Sequence, residues 1–317
     1  MDRLSLTVDI EWQSVFRLLA TLFLFCPIAP ASDAYLFAYF KDPGKSGVFY
    51  AISQDGYRWT PVRAGQAITS PDHSGELMRD PHIARGPDGM YHMIWTWEWH
   101  TQRMGHATSR DLVSWSPHEE IPAMAGVPGT RNVWAPELYW DKAGSEWLLI
   151  WSSTVEGRFP ETMSGGEQGN NHRIYSMTTR DFKTFSEPRL FFDPGYEVID
   201  ATILEDGAKF YLVFKDERRY PLSKFLLLAE GKTLRGPWSA PGKPFTESWS
   251  EGPSILKIAG GYIVYYDHYR DPRGYRAAYS TDLQTWRDVT DRMSFPPDAK
   301  HGCFLRLTAA EAAKLLH

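Results

Sequence analysis

The stretch Arg79-Asp80-Pro81-His82-Ile83, followed by Asp88-Gly89-Met90-Tyr91-His92-Met93-Ile94-Trp95-Thr96, decides the fold of this chain. Its two aromatic and β-branched runs are typical of strands, and the Asp-Gly pair between them is typical of a tight turn. Related opening strands return four times, as Trp134-Ala135-Pro136-Glu137-Leu138, Ile199-Asp200-Ala201-Thr202-Ile203, Glu251-Gly252-Pro253-Ser254-Ile255 and His301-Gly302-Cys303-Phe304-Leu305. Copies at a spacing of roughly fifty residues predict a repeat architecture.

A second repeat has the form Ser/Thr-x-Asp-x-x-x-Trp and follows the opening strands at a distance. It occurs at Ser53–Trp59, Ser109–Trp115, Thr179–Phe185 and Ser280–Trp286, with a degenerate copy ending at Trp238. Short strands separated by Gly, Asp, Asn and Pro fill the rest of the chain, and only Ala309–Leu316 has a helical pattern. The fold class predicted is all-β, as a five-bladed β-propeller.

The two repeats also predict how the ring closes. The first Asp-x-x-x-Trp element, which ends at Trp59, has no opening strand before it, and the last opening strand, at His301, has no such element after it. Pairing the N-terminal strands with the C-terminal strand completes a fifth blade and protects two sheet edges. Because the first strand of each blade lines the central channel, the five opening strands are expected to begin at one mouth.

Composition excludes several classes of function. The chain has 317 residues, 43% of them hydrophobic, and a formal net charge of −5. Without a cluster of Lys and Arg, the sequence predicts no nucleic-acid partner. The thirteen Trp and sixteen Tyr fit a β-sheet core, and aromatic platforms for a carbohydrate are the alternative interpretation. We expect a monomer.

Residues 1–31 are predicted to be a signal peptide. Arg17 precedes the apolar run Leu18–Ile28, and Ala29-Pro30-Ala31 offers the small residues that a signal peptidase reads. The predicted domain then spans residues 32–317, is secreted or periplasmic, and has no membrane contact after cleavage. It keeps Cys303 as a lone cysteine, which excludes an internal disulfide. The region before Arg17 is long for a signal peptide. An uncleaved anchor and a misplaced start codon are therefore the alternative interpretations.

Alignment of the opening strands brings acidic residues together. One aligned position holds Asp80, Ala135, Asp200, Gly252 and Gly302, and the position before it holds Arg79, Trp134, Ile199, Glu251 and His301. Three carboxylates from three blades are therefore predicted at one mouth. Because unpartnered buried carboxylates are costly, this gathering indicates a functional site.

With these motifs in this order, the chain resembles glycoside hydrolase family 43. The resemblance rests on Arg79-Asp80-Pro81, Trp134-Ala135-Pro136-Glu137, Ile199-Asp200-Ala201 and Glu251-Gly252-Pro253-Ser254. It implies an inverting glycosidase acting on arabinofuranosides, xylosides or galactose-containing glycans. It further implies Asp80 as general base, Glu251 as general acid, and Asp200 as the carboxylate that orients the acid and raises its pKa. Inversion requires carboxyl groups about 6.5–9.5 Å apart, which different blades can provide.

Other residues near the mouth are predicted to bind substrate. Trp134 and Trp249 adjoin the aligned positions and are candidates for stacking on a sugar ring, and Arg79 is a further candidate for substrate binding. The resemblance implies that His301 faces a channel calcium ion held mostly through water, although no cofactor is required for the reaction.

The function predicted is therefore that of a secreted inverting exo-glycosidase, either an α-L-arabinofuranosidase or a β-D-xylosidase. A galactose-releasing glycosidase of the same fold and a non-catalytic glycan-binding propeller are the alternatives. The retaining fructosidase propellers rank lower, because their nucleophile motif has Asn where this chain has Arg79.

Overall fold

The computed structural model describes Met1 and residues 34–316. Apart from Met1, the predicted signal peptide lies outside the described residues. The description begins with three strands: β1 (Ala34–Phe40), β2 (Val48–Ser53) and β3 (Thr60–Pro61). Blade 1 follows as β4 (Arg79–Arg85), β5 (Tyr91–Thr96), β6 (Met104–Ser109) and β7 (Glu119–Ile121). Blade 2 contains β8 (Trp134–Asp141), β9 (Glu146–Ser153), β10 (Arg173–Thr179) and β11 (Arg189–Phe192).

The remaining blades complete the ring. Blade 3 contains β12 (Val198–Asp206), β13 (Lys209–Asp216) and β14 (Leu226–Gly231), and blade 4 contains β15 (Ser250–Ile258), β16 (Gly261–His268), β17 (Gly274–Ser280) and β18 (Arg287–Asp288). Blade 3 has three strands, and its bridge between Gly231 and Trp238 corresponds to the Ser109–Trp115 and Thr179–Phe185 bridges of blades 1 and 2. The degenerate repeat that ends at Trp238 is the sequence counterpart of this shortened blade.

The last strand, β19 (Lys300–Leu307), closes the ring as predicted. It pairs antiparallel with β1, from Ala34 opposite Leu307 to Tyr39 opposite Gly302, which makes blade 5 a sheet of order β19-β1-β2-β3. A short helix, α1 (Ala309–Leu316), follows. Within the described residues, the structure contains no helix with the length and apolar character to cross a membrane. The all-β five-bladed propeller predicted from the repeats is confirmed.

Apolar clusters between neighbouring blades hold the ring together. In one cluster, Ile94 and Met104 of blade 1 pack with Leu138 and Leu149 of blade 2, all of them fully buried. Each such side chain stabilises the fold by roughly 1.5–3 kcal/mol relative to its exposed state. Because every cluster joins two blades, the starts of the inner strands are held at fixed distances from one another.

The Ser/Thr-x-Asp repeat is a turn that its own side chains stabilise. Asp55 Oδ1 accepts hydrogen bonds from the backbone amides of Tyr57 (2.7 Å) and Arg58 (2.9 Å), and Ser53 Oγ accepts one from the amide of Gly56. The same pattern returns around Asp111, Asp181 and Asp282. The repeat therefore serves the scaffold.

The substitution Asp55→Ala is expected to lower the free energy of unfolding by about 1–3 kcal/mol, because two backbone donors lose a charged acceptor. Urea unfolding followed by tryptophan fluorescence measures the change. Asp291→Ala, at an exposed aspartate, is the matched control and should unfold like the unmodified chain. Equal stability of the two variants would contradict the role given to this turn.

Candidate active site

Four opening strands have a bulge at the aligned position, and in β19 the bulge lies one residue earlier, at His301. The pairing register shifts between Arg79 and His82, Trp134 and Glu137, Ile199 and Thr202, and Glu251 and Ser254, and on the partner strand of β19 between Tyr39 and Phe40. At these bulges Asp80, Ala135 and Asp200 have left-handed backbones, with φ of 51°, 45° and 53°. Bulges re-aim side chains and are common beside active sites. Here they place two carboxylates at the channel mouth.

Glycine replaces the aligned side chain in blade 4 for a steric reason. Gly252 has a φ of 58°, and a Cβ atom there would lie 2.5 Å from Cγ of His301. His301 therefore takes the space that an aligned side chain would need. The blade contributes its carboxylate one residue earlier, from Glu251.

The predicted carboxylates meet in one cavity of about 210 Å³. It is lined by Phe40, Asp42, Arg79, Asp80, Thr96, Trp99, Trp134, Ile199, Asp200, Glu217, Glu251, Asp267, Lys300 and His301. Of the residues predicted from the sequence, Trp249 does not line it. Guanidinium groups of Arg270 and Arg219 lie 4.3 Å and 5.1 Å from the Trp249 ring centroid, so cations pack on this ring.

Arg79, Trp134 and Trp99 form one wall of the cavity. The indole nitrogen of Trp134 donates to the backbone oxygen of Trp99 (2.9 Å), and the guanidinium of Arg79 lies 4.2 Å from the Trp99 ring centroid. Arg79 also donates to Asp42 Oδ1 (2.9 Å). Trp99 is 45% exposed, which leaves aromatic surface available at the rim. Trp99 and Asp42 are not among the substrate-binding residues predicted from the sequence.

Asp80 is held as a carboxylate by its neighbours. Its Oδ2 accepts a hydrogen bond from Thr96 Oγ1 (2.7 Å), and its Oδ1 lies 3.3 Å from Nδ1 of His301. Burial alone would raise the pKa of Asp80, but the hydrogen bond and charge of His301, the charge of Arg79 and the Thr96 hydroxyl outweigh burial and lower it. A lowered pKa keeps Asp80 ionised at neutral pH, which is the form of a carboxyl group that can accept a proton.

His301 is one of the cations at the channel mouth, with Arg79 and Lys300. Burial lowers its pKa, but the hydrogen bond and charge of Asp80, with the charges of Asp200 and Glu137, raise it to about 9. An imidazolium whose Nδ1 faces Asp80 does not fit direct coordination of a metal ion through that nitrogen, since a histidine ligand must be neutral. A calcium ion held through water stays a prediction, and no step below depends on it.

Asp200 interacts with both other carboxylates and has a pKa above its ordinary value. Its Oδ2 accepts a hydrogen bond from the Gly252 amide (3.0 Å). Burial raises its pKa, the cations His301 and Lys215 lower it, and Glu251 and Asp80 raise it again, for a net value of about 6. The protonation of Asp200 is therefore linked to the charge on its two neighbours.

A family model described as "Probable glycosyl hydrolase domain", of the glycoside hydrolase 43-related group, matches residues 31–313. The chain belongs to this family. Among curated proteins, an α-L-arabinofuranosidase of Bifidobacterium longum subsp. longum is 25% identical over 78% of this chain. The match covers 27% of that protein, so the chain spans about a quarter of the relative's length.

Solved structures share the propeller of this glycosyl hydrolase domain. An exo-β-1,3-galactanase from Phanerochaete chrysosporium matches 89% of this chain and 65% of its own with a TM-score of 0.59 at 13% identity. An α-L-arabinofuranosidase from Lactobacillus brevis matches 67% of this chain and 72% of its own with a TM-score of 0.52 at 17% identity. At these identities the likeness shows the fold.

A ring of polar residues on the second strands supports the site of this glycosyl hydrolase domain. Thr96, Ser152, Lys215 and Asp267 pair in register with the residue before each aligned position. Each contacts the next blade: Thr96 Oγ1 accepts from the Ala135 amide, Ser152 Oγ from the Asp200 amide and Asp267 Oδ2 from the His301 amide, while Lys215 Nζ donates to Glu251. These contacts couple the bulges around the mouth.

Lys215 and Asp267 are two charged residues of the site that were also missed from the sequence. Lys215 Nζ lies 3.0 Å from Glu251 Oε2 and is buried. Asp267 is buried too, and its pKa rises to about 7, chiefly because of burial. The sequence does contain a signal for these two residues, because a charged residue directly follows an apolar run in both strands. Lys215 follows Phe210–Phe214, and Asp267 follows Tyr262–Tyr266.

A larger cavity of about 1370 Å³ opens at the other end of the opening strands. Its charged lining includes Arg85, Glu205 and Lys257, which come late in those strands. Asp80, Asp200 and Glu251 are not among the residues that line it. The candidate active site of this glycosyl hydrolase domain is therefore the smaller cavity, because the three carboxylates gather there.

The stability of the domain should fall as the pH rises from 6.5 through 9. His301 has its pKa raised from 6.5 to about 9, so the folded state binds more protons than the unfolded state in this window. The contribution is complete below 6.5 and is lost as His301 deprotonates. Thermal unfolding across this range should show a downward slope that His301→Gln flattens, whereas His100→Gln, at an exposed histidine, should retain it. A pH-independent Tm would contradict the His301–Asp80 ion pair.

Proposed function

We propose that this domain hydrolyses glycosidic bonds with inversion at the anomeric carbon. The observation that carries the proposal is the convergence of Asp80, Asp200 and Glu251, from three blades, on one cavity. Its arrangement agrees with the resemblance to glycoside hydrolase family 43, in which the matching residues are the base, the modulating carboxylate and the acid.

In the proposed reaction, Asp80 accepts a proton from a water molecule as the water oxygen bonds to the anomeric carbon. The bond from that carbon to the glycosidic oxygen breaks, and Glu251 gives its proton to the leaving oxygen. His301 and Thr96 hold the Asp80 carboxylate in place through the contacts described above. Water attacks from the face opposite the leaving group, so the configuration inverts.

The substrate we propose is the terminal sugar of a plant-type polysaccharide or oligosaccharide. A cavity of about 210 Å³ is below the roughly 300–1,000 Å³ of pockets for drug-sized ligands, which favours one sugar unit and therefore exo action. The curated relative is named as an α-L-arabinofuranosidase, so α-L-arabinofuranose is the first choice. β-D-Xylose and galactose sugars are the alternatives.

Turnover of aryl α-L-arabinofuranoside, β-D-xyloside and β-D-galactoside tests the proposal. We expect release of aryl alcohol from at least one, and proton NMR during hydrolysis should show first the anomer opposite to the substrate's. First appearance of the retained anomer would overturn inversion. Failure to hydrolyse any of a broad furanoside and pyranoside panel, together with measurable glycan binding, would favour the non-catalytic propeller.

We also propose export of the domain after cleavage of residues 1–31. The support is the pattern of Arg17, the apolar run Leu18–Ile28 and Ala29-Pro30-Ala31. Expression of the full chain in a bacterial host should yield a periplasmic or extracellular protein whose N-terminal residue is Ser32. An uncleaved N-terminus in the membrane fraction would contradict cleavage and favour an anchor.

A further inference from the structure

Lys215 is a buried cation with two carboxylate partners. Its side chain is 1% exposed, and Nζ lies 3.0 Å from Glu251 Oε2 and 2.5 Å from Glu217 Oε2. The same ammonium lies 4.6 Å from the ring centroid of Tyr269. Burying an ammonium group costs free energy unless carboxylates are well placed to pair with it. The contacts of Lys215 with Glu217 and Glu251 meet this requirement.

The contacts of Lys215 continue outward as alternating charges. Glu217 Oε1 accepts from Lys224 Nζ (2.6 Å), and Lys224 Nζ lies 3.0 Å from Glu167 Oε2. Arg219 Nε lies 3.2 Å from Glu167 Oε1. Lys224 is 2% exposed, so the second cation of this chain is buried as well.

Glu167 belongs to the inserted segment of blade 2, residues 156–171. Residues of this segment do not line the 210 Å³ cavity. The segment contacts blade 3 through the backbone oxygen of Gly165, which accepts from the amides of Arg219 (2.7 Å) and Tyr220 (3.2 Å). Its connection to the site is the row of ion pairs from Glu167 to Glu251. We call this row, Glu167–Lys224–Glu217–Lys215–Glu251, the ion-pair chain.

We propose that Lys215 is a positioning residue for Glu251 and that the ion-pair chain anchors it to the inserted segment. This inference rests on the proposed function, in which Glu251 is the proton donor. Lys215 holds one carboxylate oxygen of Glu251 on the side of blade 3. The other oxygen is then the one directed to the leaving group.

The charge of Lys215 also acts on the reaction. Negative charge develops on Glu251 as its proton leaves, and a preorganised ammonium 3.0 Å away stabilises that charge. Asp200 acts in the opposite direction, since an anion near the donor favours the protonated form. Glu217, Tyr269 and Asp200 also interact electrostatically with Lys215, and Asp267 interacts with Glu251.

The kinetic test compares Lys215→Met with Lys215→Arg. We expect Lys215→Met to lower kcat/KM by roughly 10²-fold on a glycoside with a poor leaving group and by less than about tenfold on an activated aryl glycoside. The high-pH limb of its profile should move to higher pH, because an ammonium beside the donor is lost, while the low-pH limb stays. Lys215→Arg should restore most of the activity.

Lys257→Met is the matched control. Lys257 lies on β15 with Glu251 and forms an exposed ion pair with Asp206. It does not line the 210 Å³ cavity. The Lys257→Met substitution should leave kcat/KM on both substrates and the pH profile unchanged. If Lys215→Met lowers activity equally on both substrates with an unmoved profile, Lys215 has only a structural role and the proposal is overturned.

A second measurement tests the interaction between Lys215 and Glu251 without measuring enzyme activity. In protein labelled with ¹³C at glutamate side-chain carboxyls, the Glu251 signal is assigned by its loss in Glu251→Gln. We expect its titration midpoint in Lys215→Met to lie at least about one pH unit above that of the unmodified chain. An unchanged midpoint overturns the proposal even if no substrate is turned over, whereas a shifted midpoint without turnover counts against the proposed function alone.

Glu167→Gln tests the outer part of the ion-pair chain. It should move the same NMR midpoint and the same kinetic limb in a smaller but measurable way, because Lys224 then shifts towards Glu217 and weakens its hold on Lys215. Behaviour identical to that of the unmodified chain would overturn the anchoring by the inserted segment and leave the role of Lys215 standing.

Discussion

Replacement of Glu251 with glutamine is expected to lower kcat/KM by roughly 10²–10⁴-fold on glycosides with poor leaving groups. Glutamine has the shape of the acid but has no proton to give, so the departing oxygen would leave as an alkoxide. On an aryl glycoside whose leaving group is stable as an anion, the loss should be much smaller. Initial rates on a nitrophenyl glycoside and on an alkyl glycoside or oligosaccharide measure the difference.

Glu205→Gln is the control for this experiment. Glu205 lies on β12, is exposed and forms an ion pair with Lys142, so the substitution also removes a Lys–Glu ion pair. Glu205 is near the end of β12 that is far from the channel mouth. It should retain full activity on both substrates. Full activity of Glu251→Gln on the poor leaving group would show that another residue is the acid.

Asp80→Asn is expected to lower kcat by roughly 10³-fold on both kinds of leaving group, because the attacking water loses its base. Asparagine is the appropriate replacement at a φ of 51°, since it tolerates the left-handed backbone better than alanine. Its amide oxygen can still accept from Thr96. Steady-state kinetics on the two substrates, with circular dichroism to verify folding, measures the effect.

The pattern across the two variants separates their roles. An Asp80→Asn loss that depends on the leaving group would contradict the assignment of Asp80 as base. Asp88→Asn, at the exposed turn after β4, serves as the control and should be fully active. A glycan-binding module would show no turnover to lose, and both substitutions would then be visible only in binding.

Much of the fold was predictable because the repeats are local. The turn around Asp55 is closed by hydrogen bonds within six residues, from Ser53 to Arg58. The residues that form these hydrogen bonds therefore recur in the sequence as a recognisable motif. The count of copies predicted five blades, and the unmatched first and last elements predicted the pairing of β1 with β19. The shortened blade 3 was visible only as a degenerate copy.

The site was predictable where it follows from the same register. Asp80 and Asp200 were found because they occupy the aligned bulge, and Glu251 because it precedes it. Lys215 and Asp267 were missed because the comparison stopped at the opening strands. Trp249 was selected for its adjacency to Glu251, but its ring packs against arginine guanidinium groups.

The sequence by itself determined the five-bladed ring and the carboxylates that converge on its mouth, since both follow from the order of the repeats and the alignment of the opening strands. Only the tertiary structure decided the charge environment of those carboxylates. The partners of Asp80 and Glu251 are His301 and Lys215, which are 221 and 36 residues away along the chain. Coulombic interactions depend on distance through space, and blade packing alone sets the 3.3 Å and 3.0 Å separations of these pairs.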